Sequence, residues 1–311
     1  MDINSYTEEL AKAISEQNEN LIVEVSDVQK NNGLVLKGIT IRTKDCNISP
    51  VIYTDAFYEH ELSTDEAVSK IMEIYNAHKD GMSNFDANIV QNFDAIKDKI
   101  VARVINKNRN EVITNSCPHA QFGDLVITFV IFVEQGEPLG GTASIKITNE
   151  MMNSWKINLG QLIEAAYTNT KKLLPLEVLT MSEILKQMME HAGGLSPEME
   201  AELAAPDHLM YVVSNTARQF GAYFITDREA LMEIASEIKE DQFFILPSSV
   251  HEVIVIPESQ VENKDGLITM VKEVNATQVA PDEVLADNVY SFDANTEELR
   301  AMDGTIIPFI A

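Results

Sequence analysis

From Leu125 to Val133 the chain is apolar at every position except Thr128, between Asp124 and Glu134. A run of that length, rich in Val, Ile and Phe, has no polar face to offer water, so it reads as a strand covered on both sides. The rest of the chain must therefore supply cover, and its apolar segments are short and separated by turn residues. The run itself falls well short of the roughly 20 residues that span a bilayer, so no membrane span is expected.

Around it the pattern is mixed. A helix is expected at the start, where Ser5 and Glu8 have the spacing of a capping box and Tyr6, Leu10 and Ile14 recur every fourth residue. Leu21 to Val28 and Leu34 to Arg42 read as strands of a hairpin, because Asn31-Asn32-Gly33 between them tolerates positive φ. Ile48 to Tyr53 extends that sheet. Ser63 and Glu66 then open a helix with Val68, Ile71, Ile74 and Tyr75 on one face. Phe85 to Ile105 is ambiguous: Phe85, Ile89 and Phe93 suit a helix, and Ile100, Val101, Val104 and Ile105 suit either state.

Gly136 to Gly141 should turn the chain into a second strand, Thr142 to Thr148, followed by a helix from Asn158 to Leu174 that Pro175 ends. Trp155 and the Met151-Met152 pair are expected to fill core space. A further helix is expected at Met181 to His191. Beyond it come strands at Leu209 to Ser214 and Gly221 to Thr226, a helix at Arg228 to Lys239, and strands at Phe243 to Leu246 and Val250 to Ile256. This ββαββ unit precedes a helix from Asp265 to Asn275, a short helix at Pro281 to Ala286, a strand at Val289 to Phe292 and a final turn at Glu297 to Arg300. Short turns between consecutive strands favour antiparallel pairing. The expected class is α+β, with antiparallel sheets and helices packed mainly on one face. Residues 1–195 and 209–311 form the two expected regions, joined by an acidic hinge or loop at 196–208.

Charge bears on partners. The 311 residues hold 49 Asp and Glu against 23 Lys and Arg, a net charge of −26 with no long run of like charges. Both halves are acidic, so the carboxylates read as a dispersed outer surface on a core supplied by 45% hydrophobic residues. Direct nucleic-acid binding is disfavoured, because such binders present basic surfaces. A protein partner with a basic surface is the partner that charge favours. Cys46 and Cys117 match no paired-cysteine spacing, which argues for a reducing, cytoplasmic setting. The acidic stretch Met1 to Gln17 does not read as a secretory leader.

Motifs with a mechanical meaning are absent: no phosphate loop, no GxGxxG, no HExxH and no GxSxG. No cofactor and no metal site is expected. The densest group of reactive side chains is Pro247-Ser248-Ser249-Val250-His251-Glu252. On one strand Ser249 and His251 would share a face at period two, so Ser248 or Ser249 with His251 are candidates for a nucleophile and base of a cryptic hydrolase. The competing reading is a hairpin turn whose serines bind exposed backbone. In Cys117-Pro118-His119 the proline extends the backbone, separating thiol and imidazole. His60, His78, His191 and His208 stand singly. Asp124, Asn169 and Arg218 are polar groups beside expected core.

The words MYVVSNTARQFGAYFITDREALMEIASEIKEDQFFILPSSVHEVIVIPE (Met210 to Glu258), GDLVITFVIF, LGQLIEAAYTNTKKLLP and NATQVAPDEVLADNVYSFD resemble a bacterial domain-of-unknown-function family. That family is frequent in anaerobic Gram-positive bacteria and distantly similar to YtpQ-like proteins. The resemblance spans most of residues 1–303 and implies no activity, cofactor or site residue. A binding or accessory protein without catalysis is the reading the sequence favours, with the hydrolase as its alternative.

Overall fold

A computed structural model describes residues 1–44, 51–82, 87–134, 142–191 and 210–310. The chain divides into two compact units, one of residues 1–97 with 132–144 and one of residues 98–131 with 145–311. Cys46, the turn at 136–141, the hinge at 196–208 with His208, and Leu209 lie outside the described residues, as do the side chains of His78 and His191.

The first unit begins with helix α1 (Ile3–Gln17). Its cap is Asp2, whose carboxylate accepts the Ser5 N–H at 2.9 Å, and not the expected Ser5. An Asp one turn earlier offers the better acceptor and its charge favours the helix N-terminus. Strands β1 (Leu21–Gln29) and β2 (Val35–Thr43) form the expected hairpin, in register from Leu21 opposite Thr43 to Gln29 opposite Val35. Its turn places Asn32 and Gly33 at φ 59° and 76°. Strand β3 (Val51–Tyr53) pairs with β2, and the short α2 (Asp55–Glu59) leads to α3 (Thr64–Met82). Here the expected capping box forms: Glu66 Oε2 accepts the Ser63 N–H at 3.1 Å, and Ser63 Oγ accepts the Glu66 N–H at 3.4 Å. Leu10, Ile14, Ile39, Ile41 and Ile71 are the centre of this unit's core, with α1 and α3 packed on each other. The ambiguous segment after Phe85 contains the single turn α4 (Phe93–Ile96).

The second unit opens with β4 (Ile100–Asn106), then α5 (Glu111–Ser116), β5 (His119–Phe122) and β6 (Leu125–Glu134), whose last residues from Phe132 count with the first unit. β6 lies between β4 and β5, both antiparallel to it, and residues 125–131 are buried on both faces as the apolar run requires. Strand β7 (Thr142–Lys146) also pairs with β6. Helix α6 (Asn149–Trp155) is followed by α7 (Leu159–Leu173), whose Asn158 cap forms a reciprocal box with Gln161. Helix α7 packs against β4 partly through polar atoms: Thr170 Oγ1 accepts the Ala102 N–H at 2.9 Å, and Asn169 donates to the Ile100 carbonyl at 3.1 Å.

The remaining elements are β8 (Leu176–Thr180), α8 (Met181–His191), β9 (Tyr211–Asn215), α9 (Arg228–Ile238), β10 (Gln242–Leu246), β11 (Val253–Pro257), α10 (Lys264–Thr277), β12 (Tyr290–Asp293), β13 (Glu298–Ala301) and β14 (Ile306–Ile307). Seven strands form one sheet in the order β14-β13-β12-β10-β11-β9-β8, with every neighbouring pair antiparallel. Helix α10 packs Leu267 and Val271 against Phe244, Leu246 and Ile256 of this sheet.

Three expected elements take another form. Gly221–Thr226 is a 3₁₀ helix, entirely buried, where a strand was expected. The Asn215 side chain coils the chain before it, accepting from Ala217 N and Gln219 N and donating to the Gln219 carbonyl, and Phe220 enters at φ 58°. Pro281–Ala286 is a turn followed by extended chain, with Val284 bridged to Ser249. The segment from Glu297 to Arg300 runs into β13, which pairs with β12 and β14.

Candidate functional site

The six residues from Pro247 to Glu252 connect β10 to β11, and their shape is set by pairing with residues 283–286. Val250 N donates to the Glu283 carbonyl at 2.8 Å, Leu285 N to the Ser248 carbonyl at 3.0 Å, and Ala286 N to the Pro247 carbonyl at 3.0 Å. After this pairing the chain bends at Val250 and His251 before β11 begins. Ser249 and His251 are thus not successive same-face residues of a strand, and the period-two alignment does not apply to them.

Ser249 is 3% exposed, and its Oγ accepts the main-chain N–H of His251 at 3.0 Å. This is the local hydroxyl-to-backbone bond that stabilises a serine turn. Ser248 is partly buried and donates its own N–H to the Leu246 carbonyl. The His251 ring faces elsewhere: its Nδ1 accepts the Phe220 N–H at 3.4 Å, and its Nε2 is 3.8 Å from Glu283 Oε1. With Nδ1 accepting, the neutral ring carries its proton on Nε2. The His251 carbonyl takes the Gly221 N–H at 2.9 Å and the Ser214 hydroxyl at 2.8 Å. Main chain and ring together make His251 a tie between β9, the 3₁₀ helix and the 281–286 segment.

The ring also belongs to a stack. Phe220 lies 5.9 Å from His251, centroid to centroid, at an interplanar angle of 23°, and the Arg103 guanidinium sits 5.7 Å from the Phe220 centroid. Burial lowers the His251 pKa; Glu283 opposes this, Arg103 reinforces it and Asp282 opposes it. Burial raises the pKa of Glu252, with Glu283 adding to the rise and Arg218 opposing it. His251 in the folded chain thus binds its proton more weakly than in the unfolded chain. Its contribution to stability is full above the unfolded value of about 6.5 and is lost as pH falls from there through the folded value. Denaturant titrations between neutral and mildly acidic pH are expected to show this loss in the wild type and a flatter profile in His251→Gln. Identical profiles would refute the assignment.

Cys117 is a buried free thiol, and the His119 Nδ1 lies 3.1 Å from the Cys117 carbonyl oxygen, so the imidazole is engaged by the main chain. Asp124 accepts from Tyr290 Oη at 2.5 Å and from Asn288 Nδ2 at 3.1 Å. Arg218 pairs with Glu177 at 2.9 Å. Among the described residues no group of three or more His, Cys, Asp or Glu is placed to hold a metal ion.

A family described as "Family of unknown function (DUF5688)" matches residues 3–294. The chain belongs to the DUF5688 family. No curated protein and no solved structure matches it. In this DUF5688 chain the residues that motif reading passed over are Arg103, Phe220, Asp282 and Glu283, which surround His251. Arg103 had a visible signal, the lone charge in IVARVIN of β4, which is otherwise apolar up to Asn106. Glu283 had none, since only the pairing of 247–250 with 283–286 brings it to the ring.

The second feature of note is a double depression on the seven-stranded sheet. One hollow, of about 180 Å³, is lined by Phe244 with Glu258, Asp293 and Glu298, while Phe243 and Phe292, paired in register, pack their rings together on the opposite face of the sheet. The other, of about 470 Å³, adjoins it through Gln242 and Glu258 and adds Glu240 and Asp241. The two cations of the lining are already engaged, Lys264 by Glu258 at 2.5 Å and Arg300 by Glu298 at 2.5 Å. Lys264 also lies 5.1 Å from the Phe244 centroid. Among the described residues, Glu240 and Asp241 have no basic partner within 4 Å. Five carboxylates thus line the two hollows around Phe244 and two neutralised cations.

Proposed function

We propose that this chain is a bacterial, cytoplasmic binding or accessory protein that engages a protein partner carrying a basic surface. The observation that carries the reading is the double depression, where Glu240 and Asp241, with no basic partner among the described residues, adjoin a hollow lined by Phe244. Cationic side chains are drawn by the carboxylates, and their stems and charges also suit aromatic faces. Lys264 over Phe244 beside Glu258 is an example of that chemistry within the chain itself. The net charge of −26 adds long-range attraction for a basic partner.

A lysine- and arginine-rich peptide labelled for fluorescence anisotropy is the direct probe. Binding is expected at low salt, severalfold weaker at high salt, and weaker again in the double variant Glu240→Gln with Asp241→Asn. Equal binding by wild type and double variant would sink the reading. Labelling of Ser248 or Ser249 by an active-serine probe, abolished in His251→Ala, would replace it with hydrolysis.

A further inference from the structure

The second unit contains five arginines, and four of them make ion pairs: Arg109 with Asp287 at 2.5 Å, Arg218 with Glu177 at 2.9 Å, Arg228 with Glu297 at 3.2 Å and Arg300 with Glu298 at 2.5 Å. Arg103 is the exception among the described residues. It projects from the middle of β4, between the buried Ala102 and Val104, and its Nε is buried with no hydrogen-bond partner. Among the described residues no carboxylate lies within ion-pair distance of it. Burial works against its charge, and Asp282 is close enough to favour it.

A guanidinium set into a sheet without a partner is costly, because its desolvation is not offset by a charge-assisted bond. What the surroundings do provide is a platform. The Phe220 ring lies under the guanidinium, and Phe220 is held in the left-handed region, at φ 58°, by its N–H bond to His251 and the Asn215 turn before it. Left-handed backbone at a residue other than glycine costs free energy and recurs at ligand clamps. An arginine stacked on an aromatic ring keeps its planar donor edge free, and that edge matches two oxygens of a carboxylate or phosphate.

We propose that Arg103, seated on Phe220, is the recognition residue of a site for a small oxyanion, a carboxylate or phosphate group held by the guanidinium edge. The site is separate from the acidic depression and takes ligands of opposite charge, so either can fail without the other. Asp282, near the guanidinium, and Glu283, 3.8 Å from the neighbouring His251 ring, exclude large or multiply charged anions by repulsion, whereas a single oxyanion on the guanidinium completes the missing pair.

The test compares inorganic phosphate, acetate and chloride at constant ionic strength on the full chain. Thermal unfolding and the amide resonances of Phe220 and His251 are the readouts. Phosphate or acetate is expected to raise the unfolding temperature above that in chloride and to shift both resonances. A response to phosphate alone assigns a phosphate-bearing ligand, and a response to acetate alone a carboxylate. Arg103→Met, which keeps the stem and removes the charge, is expected to abolish the response, and Arg103→Lys to weaken it. The proposal is overturned if neither anion acts on the wild type, or if Arg103→Met responds as the wild type does. Should Arg103→Met fail to fold, an undiminished response in Arg103→Lys overturns it equally, because an ammonium cannot reproduce the two-pronged contact.

Discussion

Gly221→Ala is expected to destabilise the chain by upward of about 3 kcal/mol, at the far end of what overpacking costs. A Cβ at this position would lie 2.4 Å from the His251 carbonyl oxygen, 2.6 Å from Ser214 Oγ and 2.7 Å from Ser214 Cα. Two of these three atoms are backbone, and neither can move alone. The His251 carbonyl accepts from both Gly221 N and Ser214 Oγ, so displacing it breaks two bonds at once. Ser214 lies in β9, which pairs with both β8 and β11. Urea unfolding followed by circular dichroism measures the loss. A change below about 1 kcal/mol would show that the 3₁₀ helix can retreat from β9, contrary to the close packing described.

The second large effect belongs to Asp227, which is fully buried. Its Oδ1 caps α9, accepting from Glu229 N at 3.0 Å and Ala230 N at 3.3 Å, and also accepts from Tyr167 Oη at 3.1 Å. Its Oδ2 lies 3.2 Å from Lys171 Nζ. Burial alone would lower the Lys171 pKa, but Glu229, Tyr167 and Asp227 together hold it well above its ordinary value. Asp227→Ala removes a cap worth about 1 kcal/mol and a charge that orders two neighbouring side chains, for an expected total of about 3 kcal/mol. Asp227→Asn keeps the capping oxygen and should recover a good part of that loss. If the two variants are equally destabilised, the cap contributes nothing. If both are near wild type, the Tyr167, Lys171 and Asp227 network is not a stabilising element.

The elements that the sequence makes legible are those whose information is local. The Ser63 and Glu66 box, the Asn32-Gly33 turn and the two-sided burial of 125–131 each follow from neighbouring residues, and the structure has all three. Gly221–Thr226 shows the limit. Six buried residues in a row satisfy a covered strand and a covered helix alike, and the deciding groups are the Asn215 side chain and a distant carbonyl at His251. The 281–286 segment fails for a similar reason, since its extended form is dictated by partners more than thirty residues earlier. At the site, reading the 247–252 cluster located a real crossing point of the fold. Its roles were not legible, because alternation along a strand assumes a strand. The bend at Val250 and His251 directs the Ser249 hydroxyl to backbone and the imidazole to Phe220.

The order of the seven-stranded sheet has one more consequence. Strands β8 and β9 are hydrogen-bonded neighbours, and the residue where the chain leaves, Thr180, sits directly opposite the residue where it returns, Tyr211. Within the excursion helix α8 packs back on both strands, and beyond it the register of the sheet requires only that the chain come back to Tyr211. Closing such an excursion costs an entropy that grows only with the logarithm of its length, so changes in that length weigh little on the sheet. Inserted domains, affinity tags or new chain termini placed between α8 and β9 are therefore expected to leave Arg103, His251 and the acidic depression in place.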